Sequence, residues 1–277
     1  MHIGVIGLGV IGSAIKQGFE RLGNQTSGYD IKYPETSLND ILPTDMCFIC
    51  VPTNSLPDGS CDTQIVRLVV RQLVEAGYKG DIIIKSTVKP GTSDLLTEEF
   101  HTPIVFCAEF LRERAALTDF LENQDICVIG THDDATFERI KNVHGTLSPH
   151  YFKLSPTEAE LVKYFSNTFN ALRIIFANEF YEVCKHLGAD YQKIKEAMVK
   201  RKTMVDSYLD CNENTRGFGG MCLPKDTRAM ASLVRELGLD LRLFDVILEE
   251  NKKFRTTLFE GMRSEEKSRE QKTNTLG

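Results

Sequence analysis

Short apolar runs recur through the first half of the chain, at residues 2–6, 26–30, 46–51, 81–86, 103–107 and 125–130. Most are close to continuously hydrophobic, as MCFICV at 46–51 shows, which is the pattern of a strand buried on both faces. Between most of them, residues 11–22, 63–76, 94–100 and 135–144 repeat their apolar positions every three or four residues, as a helix packed on one face does. Strand and helix in alternation predict an α/β fold: a doubly wound, Rossmann-type parallel sheet of six strands with helices on both faces.

After residue 150 the pattern changes. No further strand is readable, and the chain becomes helical. Ser155-Pro156-Thr157-Glu158 combines a capping serine, a proline at the first helical position and a glutamate three residues past the cap. A helix is therefore expected from 156 to 187, where Gly188 supplies the stop. At 1.5 Å per residue it is a rod of ~48 Å, more than one small domain covers, so it is expected to be a spine shared with a second subunit in a homodimer. Shorter helices are expected at 191–200, 224–237 and 241–253. The expected division is an α/β domain over 1–153, an all-helical dimerisation and catalytic domain over 154–262, and a polar tail over 263–277 that frays.

Composition narrows the partners. The 277 residues carry 33 Lys+Arg against 39 Asp+Glu, a net charge of −6 that offers no basic surface to nucleic acid. Residues 1–15 lack charge but are too few to span a bilayer and have no basic n-region, so no membrane partner or address is read there. Eight cysteines, several inside apolar runs, fit reduced thiols of a cytoplasmic protein. Cys47 and Cys50 form a Cys-x-x-Cys, but three residues apart on a strand they face opposite sides. Cysteines and histidines show no zinc-ligand spacing, and no metal is expected.

The chemistry sits at turns. Gly7-Leu8-Gly9-Val10-Ile11-Gly12 follows the first strand and opens the first helix, where glycines admit a pyrophosphate to the helix N-terminus. Asp30 ends the second strand, where a carboxylate binds the ribose hydroxyls of NAD and repels the extra phosphate of NADP; Lys32 lies close by. Thr53, Thr87 and Glu109 follow the ends of the third, fourth and fifth strands, the sheet edge where ligands bind. Lys163 and Asn167 share one face of the long helix. In GFGGMCLPKD at 217–226 a glycine-rich loop runs into a helix that Pro224 is expected to initiate. Cys222 is thus expected at a helix N-terminus beside Lys225, with Asp226 following, a setting that favours a nucleophilic thiolate.

GLGVIG, VPT at 51–53, STVKPGT at 86–92, EFLRE at 109–113, ELVKYFSNTFNA at 160–171 and GFGGMCLPKDT at 217–227 occur together and in order. In these motifs the chain resembles the UDP-glucose/GDP-mannose dehydrogenase family. The resemblance implies an NAD-dependent, four-electron oxidation of a sugar-nucleotide primary alcohol to the acid, with UDP-glucose favoured. Residue by residue, it implies Cys222 as the nucleophile that captures the aldehyde and carries a thioester. Lys163 and Asn167 stabilise the oxyanion, Asp226 and Thr87 hold the catalytic water, and Glu109 is the general base. The resemblance places Glu109, Phe110, Leu111, Arg112, Glu113, Lys163, Asn167 and Gly219 on the substrate side. It places Gly7, Gly9, Val10, Ile11, Gly12, Asp30, Lys32, Thr53, Thr87, Glu113 and Lys225 towards the cofactor. Family members usually carry Asn-Pro where this chain has Cys107-Ala108, and they continue into a further α/β domain. Competing readings are a GDP-mannose 6-dehydrogenase, a β-hydroxyacid dehydrogenase that needs no thiol, and a non-catalytic NAD-binding module that requires a partner chain.

Overall fold

The structure, a computed structural model, describes residues 1–254. Two compact units divide it: Met1–Leu56 with Cys61–Lys163, and Pro57–Ser60 with the chain from Tyr164 onward. This division falls inside the long helix, further along than the boundary expected at 153. The tail expected at 263–277 lies outside the described residues.

The first unit is built on seven strands: β1 (His2–Ile6), β2 (Gln25–Tyr29), β3 (Met46–Ile49), β4 (Asp81–Ile84), β5 (Ile104–Cys107), β6 (Ile126–Gly130) and β7 (His150–Leu154). Their order is β2-β1-β3-β4-β5-β6-β7 in one sheet. Helices α1 (Val10–Arg21), α2 (Gln64–Glu75), α3 (Thr92–Phe100), α4 (Ala116–Glu122) and α5 (Asp134–His144) connect them. Alternate strand residues feed two cores. Ile49, Ile82, Ile84 and Phe106 pack with Val66, Val70 and Leu73 of α2. Phe48, Ile83 and Val105 pack on the other face with Phe19 of α1, Phe120 of α4 and Ile140 of α5. Helices cover both faces, so the fold is doubly wound as expected. Cys47 joins the first core and Cys50 lies against the second, the opposed orientation that strand geometry dictates. The strand order reverses between β1 and β3, and the carboxyl ends there define the crevice that open α/β sheets use for ligands.

Three expectations for this sheet need correction. It is not wholly parallel: β5 and β6 pair antiparallel, through Phe106↔Gly130 and Cys107↔Ile129. An apolar strand reads the same in either direction, so only the path of the connection decides. A seventh strand, β7, runs parallel to β6 after residue 150, where none was readable; as an edge strand its HYFKL sequence is half-exposed and polar. The seven-residue α4 is too short for its period to be seen.

The second unit is helical. Helix α6 (Pro156–His186) starts in the first unit and continues into the second, followed by α7 (Tyr191–Met198), α8 (Cys222–Glu236) and α9 (Leu243–Asn251). The capping box forms as the sequence requires: the Ser155 N–H donates to Glu158 Oε2 at 2.8 Å and the Glu158 N–H to Ser155 Oγ at 3.3 Å. Small cores form where Ala171, Ile174 and Ile175 meet Phe218 and Ile247, and where Ala177 and Cys184 meet Tyr191 and Leu209. Among the described residues no helix is long and apolar enough to cross a membrane.

Candidate active site

The glycine-rich turn between β1 and α1 explains each of its glycines differently. Gly7 has φ +90°, and a Cβ there would come within 2.7 Å of the Cys50 carbonyl oxygen. At Gly12 a Cβ would lie 1.8 Å from the Gly7 carbonyl oxygen. These two glycines let the chain close on itself. Gly9 is different: a Cβ there would meet nothing within 4 Å, so the protein itself does not require a glycine. Gly9 is also the N-cap of α1 and offers no side-chain cap to the first-turn N–H groups at Val10 and Ile11. A turn that is tight behind and open in front, at the positive end of a helix, fits a pyrophosphate. Asp30 is fixed beside it, because its Oδ2 accepts the Leu8 N–H at 2.7 Å and its Oδ1 accepts the Lys32 N–H at 2.9 Å. Those bonds leave acceptor sites for a ribose diol, and the residues present fit NAD.

Further along the same sheet edge, Thr53 Oγ1 donates to the Thr87 carbonyl at 2.7 Å and Ser86 Oγ to the Val51 carbonyl at 2.7 Å. The loops after β3 and β4 are thereby stitched, which brings Thr53 and Thr87 together. Glu109 folds back on its own segment, where Oε1 accepts the N–H groups of Phe110 at 2.8 Å and Leu111 at 3.0 Å. Its Oε2 lies 3.1 Å from the Lys85 ammonium, which is 3% exposed. Burial alone would drive the Lys85 pKa down. The neighbouring Cys107 and Glu109 outweigh that penalty and hold it above the ordinary lysine value, so this ammonium stays charged beside Glu109. Lys163 sits with its Nζ 5.4 Å from the centre of the Phe110 ring, which associates it with the 109–111 segment. Arg112 is engaged elsewhere, in a two-pronged pair with Asp119 at 2.8 and 2.6 Å. That pair holds the Asp119 carboxyl down at about 2, and exposed Glu113 opens a short 3₁₀ turn, Glu113–Ala115.

In the second unit the glycine-rich loop is pinned by two asparagines. Asn178 Oδ1 accepts the Gly217 N–H at 3.1 Å, while Asn251 binds both the N–H and the carbonyl of Phe218 at 2.8 Å. Left-handed φ values of +58° at Gly217 and +75° at Gly220 turn the chain past Gly219 into α8. Cys222 is the first residue of that helix and is exposed. Pro224 is therefore its third residue and not its first as expected, which the missing intrahelical donors of the first turn tolerate equally well. Asp226 is 1% exposed. Its Oδ2 accepts from Asn167 Nδ2 at 2.5 Å, so two candidates far apart in sequence meet. Lys225 Nζ lies 2.7 Å from Asp226 Oδ1 without hydrogen-bond alignment, which leaves that contact Coulombic and the oxygen able to accept a further donor. A groove of about 800 Å³ lined by Tyr181, Lys185, Tyr191 and Cys211 holds none of these candidates.

Sequence reading missed Lys85, Asn178 and Asn251. A lysine ending the apolar run DIIIK was the one available signal, since a charge there needs a partner. It also missed the convergence of Cys107, Cys127 and His144.

Residues 34–148 match the NAD-binding domain and residues 157–253 the central domain of the UDP-glucose/GDP-mannose dehydrogenase family. A UDP-glucose dehydrogenase structure from the archaeon Pyrobaculum islandicum superposes with a TM-score of 0.83 at 30% identity, over 91% of this chain and 68% of that one. The chain belongs to the UDP-glucose/GDP-mannose dehydrogenase family. Among curated relatives, UDP-glucose 6-dehydrogenase AglM of Haloferax volcanii is 28% identical over 91% of this chain and 69% of its own length. UDP-glucose 6-dehydrogenase TuaD of Bacillus subtilis is 30% identical over 78% of this chain, which spans about half (48%) of that relative. The family match begins at residue 34, so the glycine turn and Asp30 lie before the matched residues, at the ends of strands of the same sheet.

Proposed function

We propose that the chain is a sugar-nucleotide 6-dehydrogenase that oxidises the primary alcohol of UDP-glucose to the carboxylate of UDP-glucuronate. NAD, when bound, would supply the hydride acceptor, one equivalent for each of the two hydrides that this oxidation releases. The observation that carries the reading is the Asn167–Asp226 hydrogen bond, which joins the family-like motifs of α6 and α8 at the helix that begins with Cys222.

Each residue then has a defined task. Lys163 and Asn167 donate to the oxygen on which negative charge develops. Cys222 Sγ adds to the aldehyde carbon to give a thiohemiacetal, and the positive end of α8 favours charge on that sulfur. Loss of the second hydride leaves a thioester at Cys222. Water held by Asp226 and Thr87 attacks it, Glu109 takes the water's proton, and cleavage of the C–S bond frees the acid and the thiol. Lys85 pairs with Glu109 at 3.1 Å and fixes its position for that step. The family pattern assigns Phe110, Leu111, Arg112, Glu113 and Gly219 to the substrate and Lys225, Lys32 and Thr53 to the cofactor, and Arg112 would have to leave its pair with Asp119 to serve there.

The protein acts as a homodimer through α6. On the part of that helix in the second unit and just past its end, Phe165 (74% exposed), Phe169, Phe176, Phe180, Val183 and Leu187 (73%) recur at three-, four- and seven-residue spacing and remain exposed. The eight thiols fit a reducing compartment, and we place the protein in the cytoplasm.

Release of NADH across a panel of sugar nucleotides tests the assignment. Two equivalents of NADH per UDP-glucose are expected. A preference for GDP-mannose would move the substrate, and release with none of the panel would reduce the chain to an NAD-binding module.

A further inference from the structure

Away from the proposed reaction, three side chains that ligate soft metals meet inside the sheet. Cys107 ends β5, Cys127 lies in β6, and His144 ends α5. Their two Sγ atoms and a ring nitrogen all lie within 4.8 Å of one another. All three are buried, at 0%, 3% and 0% exposure.

The histidine is already in the state a metal needs. Its Nδ1 lies 2.8 Å from the Ile140 carbonyl oxygen, which can only accept, so Nδ1 carries the proton. Nε2 is then a bare lone pair, and it is buried with no hydrogen-bond partner. An unpaired acceptor at that depth costs free energy that ordinary packing does not return. A carbonyl holding the distal nitrogen is also the usual outer support of a metal-bound histidine.

We propose that Cys107 Sγ, Cys127 Sγ and His144 Nε2 form a structural site for a closed-shell thiophilic metal ion. The donor set selects the ion. It has two sulfurs, one imidazole and no oxygen, so hard cations such as magnesium and calcium are excluded. Phe19, Phe48 and Phe120 surround His144 with rings 5.1–6.3 Å away, a dry apolar shell. Charge also balances: two thiolates neutralise a divalent ion, and the adjacent Lys85–Glu109 pair neutralises itself. Copper(I) is satisfied by three soft ligands, whereas zinc takes a fourth, and the two ions are separate arms of the test.

The site's position gives it a purpose. The β5–β6 junction is where the sheet reverses direction, and it pairs through Phe106↔Gly130 and Cys107↔Ile129, with the Ala108 N–H donating to the Val128 carbonyl at 3.2 Å. A metal bridging β5, β6 and α5 staples that junction two residues ahead of Glu109. A site this enclosed fills as the chain folds.

The test unfolds the whole chain with guanidinium and reductant, then refolds it with zinc, with copper(I), with cobalt(II) as a spectroscopic probe, or with chelator. After desalting, the parent is expected to retain about one equivalent of zinc or copper. Its cobalt form is expected to show thiolate-to-metal charge-transfer absorption, and its thermal midpoint to exceed that of the chelated form. Cys127→Ser and His144→Gln should each lose the retained metal and the band, and Cys184→Ser, a buried thiol of the other unit, should keep both. Metal-free parent after refolding in both arms overturns the proposal without reference to any variant. A band that survives Cys127→Ser and His144→Gln overturns it as well.

Discussion

Glu160 offers a pH dependence whose sign and size follow from opposed, countable effects. It lies in the first turns of α6, is 0% exposed, and caps the start of α3. Its Oε2 accepts the Gly91 N–H at 2.5 Å, and its Oε1 accepts the Ser93 N–H at 2.8 Å and the Ser93 hydroxyl at 2.6 Å. Burial penalises the carboxylate and the three hydrogen bonds favour it; burial wins, raising the pKa from 4.5 to about 7. A raised folded-state pKa means the folded protein binds this proton more tightly than the unfolded chain. Its stabilising contribution is complete below pH 4.5 and is lost as pH rises through about 7. The difference between those values corresponds to roughly 3 kcal/mol. Denaturant unfolding of the parent and of Glu160→Gln should be followed from pH 4.5 to pH 8. Glutamine costs a constant amount, because its amide nitrogen is a donor and would face one of the two backbone N–H groups, but it does not titrate. The stability difference between the two proteins should therefore shift against the parent by roughly 3 kcal/mol across the range. Parallel profiles would refute the argument. A parent that gains on the variant as pH rises would show that the three hydrogen bonds outweigh burial.

Cys222→Ala should abolish acid formation from UDP-glucose while sparing NAD binding, and Cys222→Ser should release little or no free product because its ester turns over slowly; full acid production by the alanine variant, measured independently of NADH, would favour thiol-free hydroxyacid chemistry. Gly9→Ala should fold normally but weaken NAD binding in calorimetric titration, whereas Gly12→Ala should lower stability by roughly 1–3 kcal/mol by overpacking against the Gly7 carbonyl. The reverse pattern would remove the pyrophosphate from this turn. NAD should bind at least about tenfold more tightly than NADP, or ~1.4 kcal/mol of discrimination at Asp30, and equal affinities would displace that assignment. Sedimentation at micromolar concentration should give about twice 31.2 kDa, falling to the monomer in Phe176→Asp; a monomeric parent would leave the exposed stripe of α6 unexplained.

Much of the molecule was legible from the chain alone because its signals are local. Strand positions, the capping box at Ser155, the stop at Gly188 and the glycine turn each depend on residues within one or two turns of one another. Candidate chemistry was legible for the same reason: Cys222, Lys225 and Asp226 are neighbours in sequence, and Lys163 and Asn167 lie one helical turn apart. What the chain did not disclose depends on the path between segments. The direction of β6 follows from how its connection returns, and β7 pairs at an edge where a polar sequence suffices. The capture of Asp226 by Asn167, the pinning of the glycine loop by Asn178 and Asn251, and the burial of Lys85 against Glu109 each join residues remote in sequence. So does the meeting of Cys107, Cys127 and His144, which has no ligand spacing to read. Periodicity and caps are written over a few residues by backbone geometry, so sequence alone determined the longer and more apolar elements and the candidate reactive residue types, while β7 and the short α4 escaped it. Partners for buried charge and for ligating atoms are chosen by packing, and only the tertiary structure decided them.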